Sequence, residues 1–279
     1  FAEHEGWRML VGGGRTDGTA VVYGYRSEDL REWRYTGVVA SRPSAEREPV
    51  WTGGVWECPQ LIEVDGSWVL TFSVWERDRT YYQAYALGDY RDGRFTAETW
   101  GRLTYGPCYY AGSTFRDKDG RTAIIYWLRG VDDPRGGWTG ALSLPQYLHT
   151  SNGELEVAPP SGILQGDRPR VSAKGQGVVS LAVPAELEWT ALGGAACVEI
   201  GSLTAHLRED QLTVESNGDS WTCPVATDHV RVILDHHVAE FFPGPAVLAA
   251  PLDGDTRELS FRASELSVRE LRSGPPRPD

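Results

Sequence analysis

Three Asp-Gly pairs, Asp65-Gly66, Asp92-Gly93 and Asp119-Gly120, punctuate the first half of the chain at a constant spacing of 27 residues. Asp-Gly supplies the positive φ angles that a tight two-residue hairpin demands, so each pair marks a point where antiparallel strands reverse. Every second turn recurs in the same context: the segment Gln60 to Trp68 lines up with Ser113 to Arg121. A repeat of roughly 54 residues holding about four strands is the size of a propeller blade. An earlier copy starts at Glu5-Gly6-Trp7, with Glu-Gly in place of Asp-Gly. Between the turns lie short β-branched or aromatic runs such as 20–25, 68–74 and 122–127, and no segment shows sustained helical periodicity. The chain reads as all-β.

The repeat also locates what comes first. Glu57 lies nine residues before the turn glycine Gly66, and the same slot before Gly6 falls upstream of Phe1. The expectation is a first blade without its innermost strand. After about Pro160 the repeat stops, and strand-like runs at 177–183, 211–214, 229–235 and 258–263 read as a β-sandwich. The expected division is an incomplete propeller over 1–163, a sandwich over 164–273 and a disordered tail over 274–279.

A net charge of −12 argues against nucleic acid or an anionic membrane as partner and favours a neutral substrate. There is no apolar run of membrane-spanning length and no signal-peptide pattern at Phe1, which leaves the compartment open. Four cysteines in 279 residues do not make a disulfide scaffold, although Cys197 and Cys223 could face each other on neighbouring strands. Neither cysteine nor histidine spacing fits a zinc site. In Asp235-His236-His237, strand alternation would send the two imidazoles to opposite faces. Gly12-Gly13-Gly14 lacks the following helix of a phosphate-binding loop and reads as a strand-end loop.

The segment Trp56-Glu57-Cys58-Pro59-Gln60-Leu61 resembles the Glu-Cys-Pro motif of glycoside hydrolase family 32, the invertases, levanases and inulinases. The likeness continues in order through Ser27-Glu28-Asp29-Leu30-Arg31-Glu32-Trp33, Tyr105 to Ala111, Gly137 to Pro145 and Val232 to Phe242. The resemblance implies a five-bladed β-propeller followed by a C-terminal β-sandwich, of which this chain matches the later part: a partial third blade and the fourth and fifth. It implies a retaining mechanism on β-fructofuranosyl linkages of sucrose or fructans, with no cofactor and with Glu57 as acid/base. The family's nucleophilic Asp sits in an Asn-Asp-Pro motif and a second Asp in an Arg-Asp-Pro motif, and neither motif occurs here. The chain is therefore expected to be inactive alone, unless an N-terminal fragment or a second copy completes the propeller. It also departs from the family at Cys108, where Asp is common, and at Gly112-Ser113, where Pro-Gln is common.

Retaining glycosidases need two carboxyl groups about 5–5.5 Å apart, one as nucleophile and one as acid and then base. Glu57 must hold a proton as the leaving oxygen departs, which a crowded, partly apolar setting from Trp56 and Cys58 would favour. Flat aromatic faces stack on sugar rings as well as filling cores. Trp127 and Trp138 are candidates for the pocket wall on that ground, followed by Tyr109 and Trp75, with Trp56 and Cys58 as candidate substrate contacts beside Glu57. Glu76 and Asp78 read as a solvated loop pair. Two rival readings stay open: a non-catalytic carbohydrate-binding protein, and a fructosyltransferase differing only in the acceptor.

Overall fold

The computed structural model describes residues 1–3, 6–133, 135–160, 171–191, 195–252 and 258–271. The expected boundary at 163/164 and the expected disordered tail lie outside these residues. The described residues form strands and turns, with no helix among them. They divide into two compact units: Phe1–Thr104 with Tyr110–Tyr126 and Gln146–Glu156, and Tyr105–Tyr109 with Trp127–Pro145 and Val157–Asp279.

The first unit is built from antiparallel meanders whose strands lie side by side in chain order. The first runs Ala2–Glu3, Gly6–Gly14, Thr19–Ser27, Arg34–Pro43. The second runs Val55–Val64, Ser67–Glu76, Arg79–Arg91, Arg94–Arg102. The third follows the order Tyr109–Arg116, Thr122–Asp133, Gln146–Ser151, Glu154–Ala158, with a fifth strand, Trp138–Leu142, also paired to Thr122–Asp133. Four strands per repeat is what the turn spacing anticipates, and the first two sheets have that number. The opening meander begins on a two-residue strand, in which Ala2 and Glu3 pair with Trp7 and Gly6.

Turn chemistry follows the sequence at two of three sites. Asp65-Gly66 (φ 48° and 82°) and Asp92-Gly93 (φ 51° and 75°) place both central residues in the left-handed region, as a tight hairpin requires. Asp119-Gly120 does not, since only Gly120 has positive φ. The reason is Asp117. Its carboxylate accepts from the Asp119 and Arg121 amides at 2.9 Å each, which organises a wider loop. The Ser-x-Asp-Leu turn is likewise self-capped: Ser27 Oγ accepts from Leu30 N at 2.8 Å, and Asp29 Oδ1 accepts from Arg31 N and Glu32 N at 2.9 and 3.0 Å. Those backbone bonds, from Glu32 first, hold the Asp29 carboxyl below its usual range.

Sheets stack through small residues and aromatics. Ala20 and Val22 of the first meander share a buried core with Trp56, Leu70, Phe72, Val74 and Ala84 of the second. Gly12-Gly13-Gly14 is part of a strand here, not a loop. A Cβ on Gly12 would lie 2.0 Å from Trp56 O, and one on Gly14 2.3 Å from Gly54 O, so glycine is what lets the two backbones approach.

Most of the second unit belongs to one eleven-stranded sheet wrapped around its own core. Its order is Asp219–Pro224, Gln211–Ser216, Leu203–Arg208, Ala195–Ile200, Glu258–Glu270, Ala185–Thr190, His229–Asp235, Val238–Phe242, Val247–Pro251, Thr104–Tyr105, with Val171–Ser180 also on Glu258–Glu270. The long strand Glu258–Glu270 joins the two layers of the sandwich. Its residues 259–262 pair with Ala195–Ile200, and its residues 265–270 pair with Ala185–Thr190. Its inward positions run Leu259, Phe261, Ala263 and then Leu266, Val268. That one-residue slip faces a register shift between Ala173 and Gly175, where a bulge turns the strand from one layer to the other. The sheet order also corrects the Cys197–Cys223 expectation. Two strands separate them, about 14 Å at the usual strand spacing, beyond disulfide reach, and neither forms a disulfide.

Candidate functional site

Glu57 sits on Val55–Val64 opposite Ser73, and the pairing slips between Glu57 and Gln60. Cys58 takes a left-handed φ of 48° and Pro59 brings no N–H, so Cys58-Pro59 forms a bulge. This is the physical content of the Glu-Cys-Pro motif: it ends regular pairing immediately beyond the carboxylate. The Tyr110 hydroxyl donates to Glu57 Oε2 at 2.6 Å, while Glu57 itself stays half-buried.

A buried polar chain supports this pair from behind. Ser73 Oγ donates to Gln83 Oε1 at 2.7 Å and accepts from Ala111 N at 3.0 Å. Gly112 N reaches the same Gln83 oxygen at 3.3 Å, and Gln83 N donates to Thr104 Oγ1 at 2.9 Å. Here the departure at Gly112 acquires a reason. Its N–H is used, which proline could not supply, and a Cβ there would stand 2.7 Å from Ile124 Cδ1 and 2.8 Å from Tyr126 Cε1. Farther along the same strand, Gln60 Oε1 accepts from Thr114 N at 2.6 Å and also from the Thr114 hydroxyl. Pro59, Gln60 and Thr114 border a cavity of about 370 Å³ together with Phe1, Arg8 and Trp33.

The expected site residues separate into two groups. Within the first unit, Trp75 is a half-buried diagonal neighbour of Glu57 on the same sheet face, because Val55 pairs with Trp75 and Glu57 with Ser73. Cys58 is exposed at the bulge; partial burial of its thiol, then the charge of Glu57, pushes its pKa up. Trp56 requires a correction. Strand alternation turns it to the opposite face from Glu57, where it is fully buried, stacks on Phe72 with centroids 4.3 Å apart, and donates Nε1–H to Thr52 O at 2.9 Å. It is a core residue, with no surface to offer a sugar.

Tyr109, Trp127 and Trp138 belong to the second unit. Tyr109 is also corrected: it is buried, and its hydroxyl donates to Glu240 Oε2 at 2.8 Å. Its neighbour Tyr110, not singled out in the sequence, is the residue that meets Glu57. The signal was available, since the repeat that sets Gln60 against Ser113 also sets Glu57 against Tyr110. Trp127 and Trp138 are 47% and 42% exposed, consistent with surfaces that a ligand could touch. Cys108 is fully buried, and that burial pushes its thiol up to about 12.

His236 and His237 are not strand residues with opposed side chains. They form the hairpin turn between His229–Asp235 and Val238–Phe242, with ring centroids 6.5 Å apart. Even so, no group of three or more His, Cys, Asp or Glu among the described residues is placed to hold a metal ion.

Successive antiparallel meanders together with a strand sandwich define a propeller-and-sandwich protein, carrying a carboxylate beside a bulge on the first strand of one blade. The family description "Glycosyl hydrolases family 32 N-terminal domain" matches residues 1–159, and the chain belongs to that family. Sucrose-6-phosphate hydrolase of Zymomonas mobilis is 30% identical over 202 residues, spanning 65% of this chain and 38% of that protein. Raffinose invertase of Escherichia coli is 28% identical over 166 residues, 55% of this chain and 34% of that protein. Among solved structures, the GH32 β-fructofuranosidase BmSUC1 of Bombyx mori superposes with a TM-score of 0.82 at 21% identity, covering 98% of this chain and 64% of that one. Sucrose-6-phosphate hydrolase from Lactobacillus gasseri gives 0.78 at 19% identity, with 98% and 65% covered. The chain thus spans well under half of the Zymomonas relative and about two thirds of these solved chains.

Proposed function

We propose that this chain carries the acid/base portion of a retaining β-fructofuranosidase acting on sucrose or fructans, with Glu57 as proton donor and then as general base. The observation that carries the reading is the Tyr110–Glu57 hydrogen bond of 2.6 Å on a half-buried carboxylate beside the Cys58-Pro59 bulge. A hydroxyl donor fixes one carboxylate oxygen and leaves the other to meet the glycosidic oxygen. In the first step an Asp attacks the anomeric carbon, the C–O bond to the leaving group breaks, and Glu57 transfers its proton to the departing oxygen. In the second step Glu57 takes a proton from water as that water displaces the enzyme carboxylate. Trp75, diagonal to Glu57, and the exposed Cys58 border this position.

On this reading the attacking Asp comes from an N-terminal fragment that completes the propeller, because the sequence holds neither Asn-Asp-Pro nor Arg-Asp-Pro. The test is fructose release from sucrose by the purified chain, alone and mixed with a polypeptide supplying those two motifs, in native and Glu57→Gln forms. The expected outcome is turnover only in the native mixture. Release by the chain alone would overturn the need for a partner, and undiminished release by the Glu57→Gln mixture would overturn the role of Glu57.

A further inference from the structure

The second unit contains a cavity of about 400 Å³ that Glu57 does not line. Trp138 borders it at the start of Trp138–Leu142, a strand paired with the second half of Thr122–Asp133. The indole meets His237 edge-to-face, with centroids 5.6 Å apart and planes at 83°, which holds the ring while leaving it 42% exposed. Asp133 pairs with Trp138 across the strands, and its Oδ2 lies 3.8 Å from His237 Nε2. Residue 136 must be small for this arrangement. A Cβ on Gly136 would stand 2.4 Å from Asp133 Oδ2 and 2.9 Å from Trp138 Nε1.

The chemistry of the lining narrows the ligand. Glu240 at the cavity is buried, with Oε2 accepting from Tyr109 and Oε1 from Leu144 N at 3.0 Å. Asp133 Oδ1 accepts from Arg135 N at 2.9 Å, and Asp235 is engaged by His236 Nδ1 at 2.9 Å. These carboxylates already have donors, which disfavours a cation. None of the described lining residues is Lys or Arg, which disfavours phosphate. What remains is an indole surface with Leu142 beside it, facing a carboxylate and an imidazole within reach of each other. A hydroxyl can donate to the first and accept from the second, while C–H faces rest on the indole. A cavity of this size suits a small neutral ligand.

We propose that this cavity is a second carbohydrate site, taking one neutral sugar ring against Trp138 with its hydroxyls between Asp133 and His237. The idea rests on the reading of the chain as a carbohydrate-active protein, but it stands on different residues from Glu57. Saturation-transfer NMR and calorimetry with fructose, glucose and sucrose at millimolar concentration test it on the native chain. Binding is expected in the native and Glu57→Gln forms. It should weaken at least tenfold in Trp138→Ala and Gly136→Ala and be largely restored in Trp138→Phe, with thermal unfolding of Trp138→Ala checking that the unit is folded. Fructose 6-phosphate should bind no better than fructose. Native-like binding by a folded Trp138→Ala chain overturns the site, as does the absence of any sugar binding. Loss of binding in Glu57→Gln alone also overturns it, while leaving the proposed role of Glu57 intact. Failure of Glu57-dependent hydrolysis with Trp138-dependent binding retained would overturn the hydrolase reading instead.

Discussion

Tyr110 places its hydroxyl 2.6 Å from Glu57 Oε2, joining two first strands of successive blades across 53 residues of chain. The same offset recurs in the Gln60–Ser113 bond and in the bond from Arg116 to Glu63 O. Equivalent positions of neighbouring repeats therefore meet side by side along this seam.

Tyr110→Phe removes that donor. A hydrogen bond to a charged partner contributes about 1.5–3 kcal/mol. In the completed enzyme, kcat/KM for sucrose should fall about tenfold or more, with far-UV circular dichroism unchanged. Native kinetics in this variant would show that the bond does not position Glu57.

Trp56→Ala should act on stability. Deleting a fully buried tryptophan stacked on Phe72 costs about 3–5 kcal/mol, read as an earlier urea midpoint. A raised KM with unchanged stability would instead return Trp56 to the sugar pocket.

Adjacent glycines should differ sharply. The Cβ of Gly12→Ala would meet the Trp56 carbonyl at 2.0 Å, which only a shift of one sheet against the other could relieve, for a loss of about 2–3 kcal/mol. The Cβ of Gly13→Ala would come only to 3.4 Å of the Tyr23 ring edge, so that variant should unfold within about 1 kcal/mol of native. Equal effects in urea denaturation would contradict the close approach at Gly12.

Asp117 provides the pH test. Partial desolvation works to raise its carboxyl, but hydrogen bonds from Arg121, from the Arg121 and Asp119 amides and from Tyr147 outweigh it and hold the pKa at about 2, against an ordinary 3.8. A folded-state pKa below the unfolded value gives stability that is complete above pH 3.8 and lost as pH falls toward 2. Chemical unfolding measured between pH 5 and 2 should therefore show a shallower acid loss for Asp117→Asn than for the native chain. Identical slopes would remove Asp117 from the acid response.

Much of the fold was legible because its signals are local. Turn dipeptides set φ within two residues, and β-branched runs between them have room only for short strands, so four strands per repeat could be read from Asp65, Asp92 and Asp119. Asp119-Gly120 escaped because a side chain two residues earlier, Asp117, took control of the loop. The long-range features were harder. The bulge in Glu258–Glu270 that joins the two sandwich layers, and the two strands separating Cys197 from Cys223, depend on pairings between distant segments.

The candidate site divides along the same line. By itself the sequence determined that Glu57-Cys58-Pro59 belongs to a strand and that this strand recurs one repeat later; placing Trp56 in the setting of Glu57 overlooked that strand alternation, with its period of two, turns neighbours to opposite faces. The sequence could not determine which face would be covered. That was decided when the Gly12 strand packed against the backbone of Trp56 and the tryptophan closed over Phe72, leaving the other face to Glu57, Ser73 and Trp75. The choice between Tyr109 and Tyr110 was settled in the same way, one hydroxyl engaging Glu240 and the other Glu57. Alternation is a property of a single strand, whereas burial belongs to whatever packs against it.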